Sequence, residues 1–171
     1  MKNTTNESDK IAFKPIGLIK SPFETPGGMP IQPKNAKGIE GKIEIFPEYI
    51  DCLDGLEGFS HIHLIYFLHL VKKEKHRVVP FLSEHETGVF STRAPSRPNP
   101  IGLSVVETDR IEKNIIYIRN VDIVNNTPLL DIKPYVAGFD DFSPTRQGWL
   151  ERNIEKLPKT RSDRRFDDSN Q

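Results

Sequence analysis

The sequence predicts a mainly β chain, an antiparallel barrel or rolled sheet with short helices, and three observations support it. Several short runs rich in Val, Ile and Thr are each bounded by Pro, Gly or Asn, the pattern of strands joined by turns. These runs do not alternate with long helical patterns, as a parallel sheet requires. No strand is followed by a Gly-x-Gly-x-x-Gly turn and a helix, which disfavours a Rossmann domain.

The elements follow in order. Residues 1–12 read as a disordered lead-in without the apolar stretch of a signal peptide. Ile16–Ile19 is a short strand, stopped by Ser21-Pro22. Residues 25–37 hold Pro26, Gly27, Gly28, Pro30 and Pro33 and form a loop. Gly38–Phe46 is a half-buried strand, with Ile39, Ile43 and Ile45 on one face and Glu40, Lys42 and Glu44 on the other. Pro47–Leu56 reads as a short helix with Pro47 in its first turn. His61–His69 is almost continuously apolar and is expected to be a strand buried on both faces. Val78–Leu82 is a further short strand. Leu103–Ile111 and Ile115–Val124 pair as a hairpin, and Leu129–Ile132 follows the Thr127-Pro128 turn. The barrel domain is thus expected over 13–142. Ser143-Pro144 caps a C-terminal helix over 143–157, with Leu150, Ile154 and Leu157 as its apolar stripe. Residues 158–171 form a charged, disordered tail.

Bulk properties exclude several classes. No apolar run approaches the roughly 20 residues that span a bilayer, so no membrane association is expected. Cys52 is the sole cysteine, which rules out an internal disulfide and a cysteine-built zinc site and points to the cytoplasm. Formal net charge is +0, not the basic balance of a protein that grips nucleic acid broadly. Arg146–Arg165 nevertheless carries Arg146, Arg152, Lys156, Lys159, Arg161, Arg164 and Arg165 against Glu151, Glu155 and Asp163. That segment reads either as a phosphate-contacting patch or as a solvated surface.

The chemistry concentrates in Gly88–Ser104. Pro95, Pro98 and Pro100 fix φ and remove backbone donors, so this stretch is stiff and holds its side chains still. Arg93 and Arg97 are planar donors suited to a carboxylate or phosphate. Asn99 offers an amide to an adenine edge or a ribose, and Gly102 lets a ligand or strand approach closely. In a second cluster Asp131 and Lys133 share one face of a strand while Ile132 turns away, with Tyr135 beyond them. His61 and His63 also share a face, but no third metal ligand is evident, so no metal site is assigned. Tyr135, Phe139 and Phe142 are read as core residues in preference to a base-stacking platform.

Four stretches together carry a family resemblance. They are Ile16-Gly17 with Ser21-Pro22-Phe23, Gly55–Leu64, Gly88–Leu103 with its Arg-Pro-Asn-Pro-Ile-Gly run, and Thr127–Tyr135. In these the chain resembles the TrmO (YaeB/TsaA-like) family over about Ile16–Phe142. The resemblance implies a single-sheeted β-barrel, a homodimer, and S-adenosylmethionine as cofactor. It also implies methyl transfer to N6 of threonylcarbamoyladenosine at tRNA position 37, with the tRNA anticodon stem-loop as partner. It draws the cofactor site from Gln32, Pro33, Lys34, His69, Leu70, Arg97, Asn99, Leu103, Leu129, Asp131 and Ile132, and Arg93 joins them as a donor. Asp131 then accepts the proton leaving N6 or orients the acceptor, while Lys133 and Tyr135 shape the pocket. Asn125-Asn126 stands where the family often has Asp-Gly, and either pair suits a tight turn. Longer bacterial members carry an extra C-terminal domain not seen here. Two other readings stay open: a methyltransferase of this fold with another substrate, and a non-catalytic module that binds an adenosyl ligand.

Overall fold

Side-chain alternation decides which face of each strand turns inward. In this computed structural model, which describes residues 10–143, 145–163 and 165–166, six strands close a barrel in the order β1-β2-β7-β6-β3-β8. They are β1 (Gly17–Lys20), β2 (Glu40–Ile45), β3 (His61–Phe67), β6 (Ile101–Glu112), β7 (Ile115–Arg119) and β8 (Thr127–Pro134). Every neighbouring pair is antiparallel, and β8 returns to β1, so the sheet has no free edge. Ile19, Ile43, Ile62, Leu64, Val106, Ile116 and Leu129 are all fully buried inside it. Each such side chain contributes roughly 1.5–3 kcal/mol by leaving water.

The hairpin expected in the sequence is β6–β7, joined at Lys113, which takes φ +56, and Asn114. Asn114 Nδ2 donates to Ile45 O at 2.9 Å, tying the turn to β2. Asn126 occupies the left-handed region at φ +61, the conformation that an Asn in that turn tolerates.

Four expectations are corrected. β3 is buried on one face only: Ile62, Leu64 and Tyr66 point inward, while His61, His63 and Ile65 are half-buried and Phe67 is exposed. A continuous apolar run hides this alternation, because the outer face is apolar too. Pro47–Leu53 and Leu56–Gly58 are tight 3-10 turns, with Gly55 at φ +79 between them. The strand expected at Val78–Leu82 shrinks to β4 (Arg77–Val78), paired with β5 (Thr87–Gly88). The helix expected over 143–157 becomes two 3-10 turns, Gly148–Leu150 and Ile154–Lys159, the second containing Pro158, whose missing N–H suits a short turn. Its expected start, Pro144, lies outside the described residues, as do residues 1–9 of the lead-in and 164 and 167–171 of the tail. The single α-helix among the described residues, α1 (Ala137–Asp140), was not expected.

The strand directions sort the connections. Residues 21–39, 68–100 and 120–126 all join strands at one end of the barrel, here the upper mouth. Residues 46–60 and the β6–β7 turn close the lower end. The C-terminal segment climbs back to the mouth, where Gly28 N donates to Ser162 O and Ser162 N to Met29 O, both at 2.8 Å. No described helix is long and apolar enough to cross a membrane.

Candidate functional site

The proline-rich segment forms part of the upper mouth and is braced by its own side chains. Thr92 Oγ1 donates to Val89 O at 2.8 Å and accepts from Ala94 N at 3.1 Å. Arg97 is half-buried and folds back, its Nη1 lying 3.4 Å from both Thr92 O and Ala94 O. Ser96 is fully buried, and its Oγ has no hydrogen-bond partner among the described residues. Beyond Asn99, Leu68 N donates to Pro100 O at 2.7 Å and so fixes where the segment enters β6. Gly102 does permit a close approach, by Tyr66: a Cβ at Gly102 would run into that ring.

Two hollows open at this end. The larger, of about 550 Å³, lies between Gln32, Phe81, Phe90 and Arg93 on one side and Trp149, Leu150, Ile154 and Leu157 on the other. Arg93 Nη1 donates to Gln32 Oε1 at 2.6 Å, and Trp149 Nε1 donates to Ser91 O at 2.9 Å. The stripe read from the sequence thus survives as one wall, although no α-helix carries it. The smaller hollow, of about 350 Å³, is lined by Phe67, Asn99, Ile101, Pro128 and Leu130, with Ile11 and Phe13 at its side.

A β-bulge governs what β8 shows to that smaller hollow. Tyr66 pairs with Leu129 and Ile65 with Asp131, so Leu130 is the extra residue. Beyond it Asp131 and Lys133 point outward, and Lys133 Nζ lies 2.8 Å from Asp131 Oδ2. Asp131 Oδ1 also accepts from Ile132 N at 2.9 Å. Ile132 packs on the core, and Leu129 is fully buried within it. The Leu129 side chain is therefore turned into the core, and only its backbone could serve the expected cofactor set. Tyr135 lies towards the lower end, its ring centroid 5.5 Å from that of His63 and 6.2 Å from that of His61. His63 Nε2 lies 3.6 Å from Asp140 Oδ2. The two imidazoles thus face an aromatic ring and a carboxylate, and among the described residues no three His, Cys, Asp or Glu side chains gather as metal ligands. Phe139 and Phe142 are 64% and 75% exposed, so they are not core residues.

The other expected residues are distributed around the mouth. Pro33 and Lys34 form a 3-10 turn with Lys34 exposed. His69 Nδ1 is 3.4 Å from Thr127 Oγ1, and burial pushes its pKa down, which favours the neutral imidazole. Leu70 and Leu103 are exposed, the latter on the outer face of β6. The structure therefore brings Asn99 to the smaller hollow, whose wall residue Leu130 directly precedes Asp131, and Gln32 with Arg93 to the larger one.

One polar cluster escaped the sequence reading. Tyr66 Oη lies 3.0 Å from Ser104 Oγ, which donates to Asp122 Oδ1 at 2.8 Å. Burial raises the Asp122 carboxyl to about 6, against the Ser104 hydrogen bond and the Arg93 charge, which lower it. Burial, reinforced by the Asp122 charge, also raises the Tyr66 phenol well above the usual tyrosine range. The available signal was an acid inside the apolar run Val121-Asp122-Ile123-Val124, which reads as the end of a strand although β7 stops at Arg119.

Comparison with known proteins adds the family context. The family described as tRNA-methyltransferase O N-terminal domain matches residues 18–141. A probable S-adenosyl-L-methionine-binding protein of Pyrococcus abyssi is 53% identical, over 91% of this chain and 85% of its own length. The tRNA (adenine(37)-N6)-methyltransferase of Homo sapiens is 34% identical, over 90% of this chain and 36% of its own. The crystal structure of TrmO from Pseudomonas aeruginosa superposes with a TM-score of 0.69 at 34% identity. That match covers 82% of this chain and 62% of the solved one, so this chain spans less than two thirds of that structure.

Proposed function

The chain belongs to the tRNA-methyltransferase O family, and from that membership we propose that it methylates N6 of threonylcarbamoyladenosine at position 37 of tRNA, using S-adenosylmethionine. One observation supports the reading: the proline-locked Asn99-Pro100 step lines an apolar hollow whose wall residue Leu130 directly precedes the Asp131–Lys133 ion pair.

The residues of the smaller hollow fit the cofactor by chemistry. Phe67, Ile101 and Leu130 offer apolar walls to a purine, and the Asn99 amide can both donate to and accept from its edge. Its volume of about 350 Å³ lies within the usual range for small-molecule sites. Bound there, S-adenosylmethionine supplies an electrophilic methyl group on a sulfonium.

The chain has to align the acceptor, exclude water and receive one proton. Asp131 takes the N6 proton or orients the acceptor, and Lys133 holds the carboxylate in place. Tyr135 stacks with His61 and His63 towards the lower end and does not line the hollow. Arg93 is the better candidate for the threonyl carboxylate. It is exposed and now donates to the neutral Gln32 amide, which a carboxylate would displace as a stronger, charge-assisted partner. Arg97 braces its own loop instead. Phe67, Ile101 and Leu103 leave an exposed apolar face beside the hollow, which supports a homodimer formed through it.

The test is nucleoside mass spectrometry after incubation with labelled cofactor. Label in threonylcarbamoyladenosine, and none in tRNA from cells lacking that modification, is the expected result. Equal labelling of both tRNAs would overturn the substrate assignment. Cofactor binding without transfer to either would leave a binding module.

A further inference from the structure

The C-terminal segment is fastened across the upper mouth. Asn35 Nδ2 donates to Leu157 O at 2.8 Å, and Pro30 and Arg161 pair as an isolated antiparallel bridge. Arg165 binds Asp163 through Nε and Nη2 and donates to Pro80 O at 2.9 Å. Phe166 packs on Val78, Val89 and Ala94, and its ring meets that of Phe81 edge-on at 5.1 Å. Held this way, the segment offers Trp149, Leu150, Ile154 and Leu157 as one wall of the larger hollow. All four lie beyond residues 18–141, the stretch shared with the family.

The lining of that hollow has one charge. Among the described residues around it, Arg93 is the sole ionisable side chain; Gln32, Ser91 and Thr92 are the other polar ones, and the rest are apolar. Phe90 is 80% exposed although its neighbour Val89 is buried, so an aromatic ring stands in water at the rim. Trp149, half-buried and held by its N–H on Ser91 O, adds a second ring from the C-terminal side. Such a lining selects its occupant. A bare phosphate finds one guanidinium and little else. Unmodified adenine fills the apolar part and leaves Arg93 on Gln32. S-adenosylmethionine brings a carboxylate, but its sulfonium and ammonium find no acidic side chain among the described lining residues. An adenine with a threonylcarbamoyl arm brings a flat ring, a methyl group and one carboxylate with no cation. The volume of about 550 Å³ is in the usual range for a ligand of that size.

We propose that the larger hollow is the acceptor pocket: it takes the threonylcarbamoyl-bearing adenine, with Arg93 on the carboxylate and Trp149 and Phe90 against the ring. The inference rests on the methyl-transfer reading above and adds the subsite that tells the modified base from plain adenine. Ala94 lines this hollow and Asn99 the smaller one, so acceptor and donor are served by two ends of one proline-braced segment. Specificity then depends on a wall that this chain builds from its own C-terminal segment.

The test measures binding of the full chain to two anticodon stem-loop RNAs, identical except that one carries threonylcarbamoyladenosine and the other adenosine. Wild type should prefer the modified RNA by at least about tenfold, the scale of a base–aromatic stack with a charge-assisted contact. Trp149→Ala and Arg93→Gln should each cut that preference to about twofold or less, while Trp149→Phe, which keeps a ring, should retain most of it. Urea unfolding reports that the barrel of each variant is intact. No preference in wild type, or a full preference surviving in either Trp149→Ala or Arg93→Gln, would overturn the proposal. So would a folded Trp149→Ala protein that loses affinity for S-adenosylmethionine and keeps its preference for the modified RNA, because the hollow would then serve the donor. Failure of the methyl-transfer reading looks different: the preference stands in wild type and disappears in the variants, yet no label reaches threonylcarbamoyladenosine.

Discussion

At the scale of single residues, two carboxylates close to the mouth sit in opposite surroundings. Asp131 lies on the outer surface with its oxygens engaged by Lys133 Nζ and Ile132 N. If it handles the N6 proton, Asp131→Asn should lower turnover by roughly 10²–10⁴-fold with cofactor affinity intact; near wild-type single-turnover rates would remove it from the chemistry. Asp122 is withdrawn beside Ser104, and burial pushes its carboxyl up to about 6 from an ordinary value of 3.8. Its raised value means the folded state favours the protonated acid. That advantage is full below about pH 3.8 and is lost as pH rises through about 6. Asp122→Asn keeps an acceptor for Ser104 and removes the charge. It should therefore stabilise the chain at pH 7.5 by up to about 3 kcal/mol relative to its effect at pH 4. Urea unfolding of both proteins at the two pH values measures this, and an equal difference at both would show that Asp122 is not the titrating group.

At the scale of elements, the bulge at Leu130 sets which side chains of β8 face outward. A one-residue change of register would turn each residue beyond it to the opposite face. Deleting Leu130 should leave Leu129 opposite Tyr66 and Asp131 opposite Ile65 in an unbroken ladder. Asp131 and Lys133 then stay outward while the hollow loses one apolar wall; calorimetry should show weaker cofactor binding with the barrel still folded. Strands with clean alternation, such as β2, were legible in the sequence because inside and outside differ in polarity. β3 was misread because its outer face carries Ile65 and Phe67. The bulge was not legible, since Leu129 and Leu130 are chemically alike and only pairing with Tyr66 and Ile65 separates them. The stiffness of 95–100 followed directly from its prolines. The use of Arg97 as a brace did not, because its acceptors are the backbone carbonyls of Thr92 and Ala94, which carry no sequence signal. The Asp122 cluster depends on three residues far apart in the chain meeting at the mouth of the barrel, and local pattern does not encode that.

At the scale of the whole molecule, the closed sheet leaves no strand edge, so the homodimer proposed above would form through a face. Phe67, Ile101 and Leu103 are the exposed apolar residues of the β3–β6 outer surface. Leu103→Asp should convert a dimer to a monomer in sedimentation velocity with unfolding stability little changed, because the side chain is already 54% exposed; an unaltered sedimentation coefficient would place the interface elsewhere. The antiparallel order also divides labour between the ends, with residues 21–39, 68–100 and 120–126 at the mouth and residues 46–60 and the β6–β7 turn below. The C-terminal segment spans both, and at its upper limit Trp149 rests its indole N–H on Ser91 O beside Arg93. Trp149 is the sole tryptophan in the chain. The intrinsic fluorescence of the native protein is therefore an optical reporter of that one contact, and its emission can follow events at the mouth with no label attached.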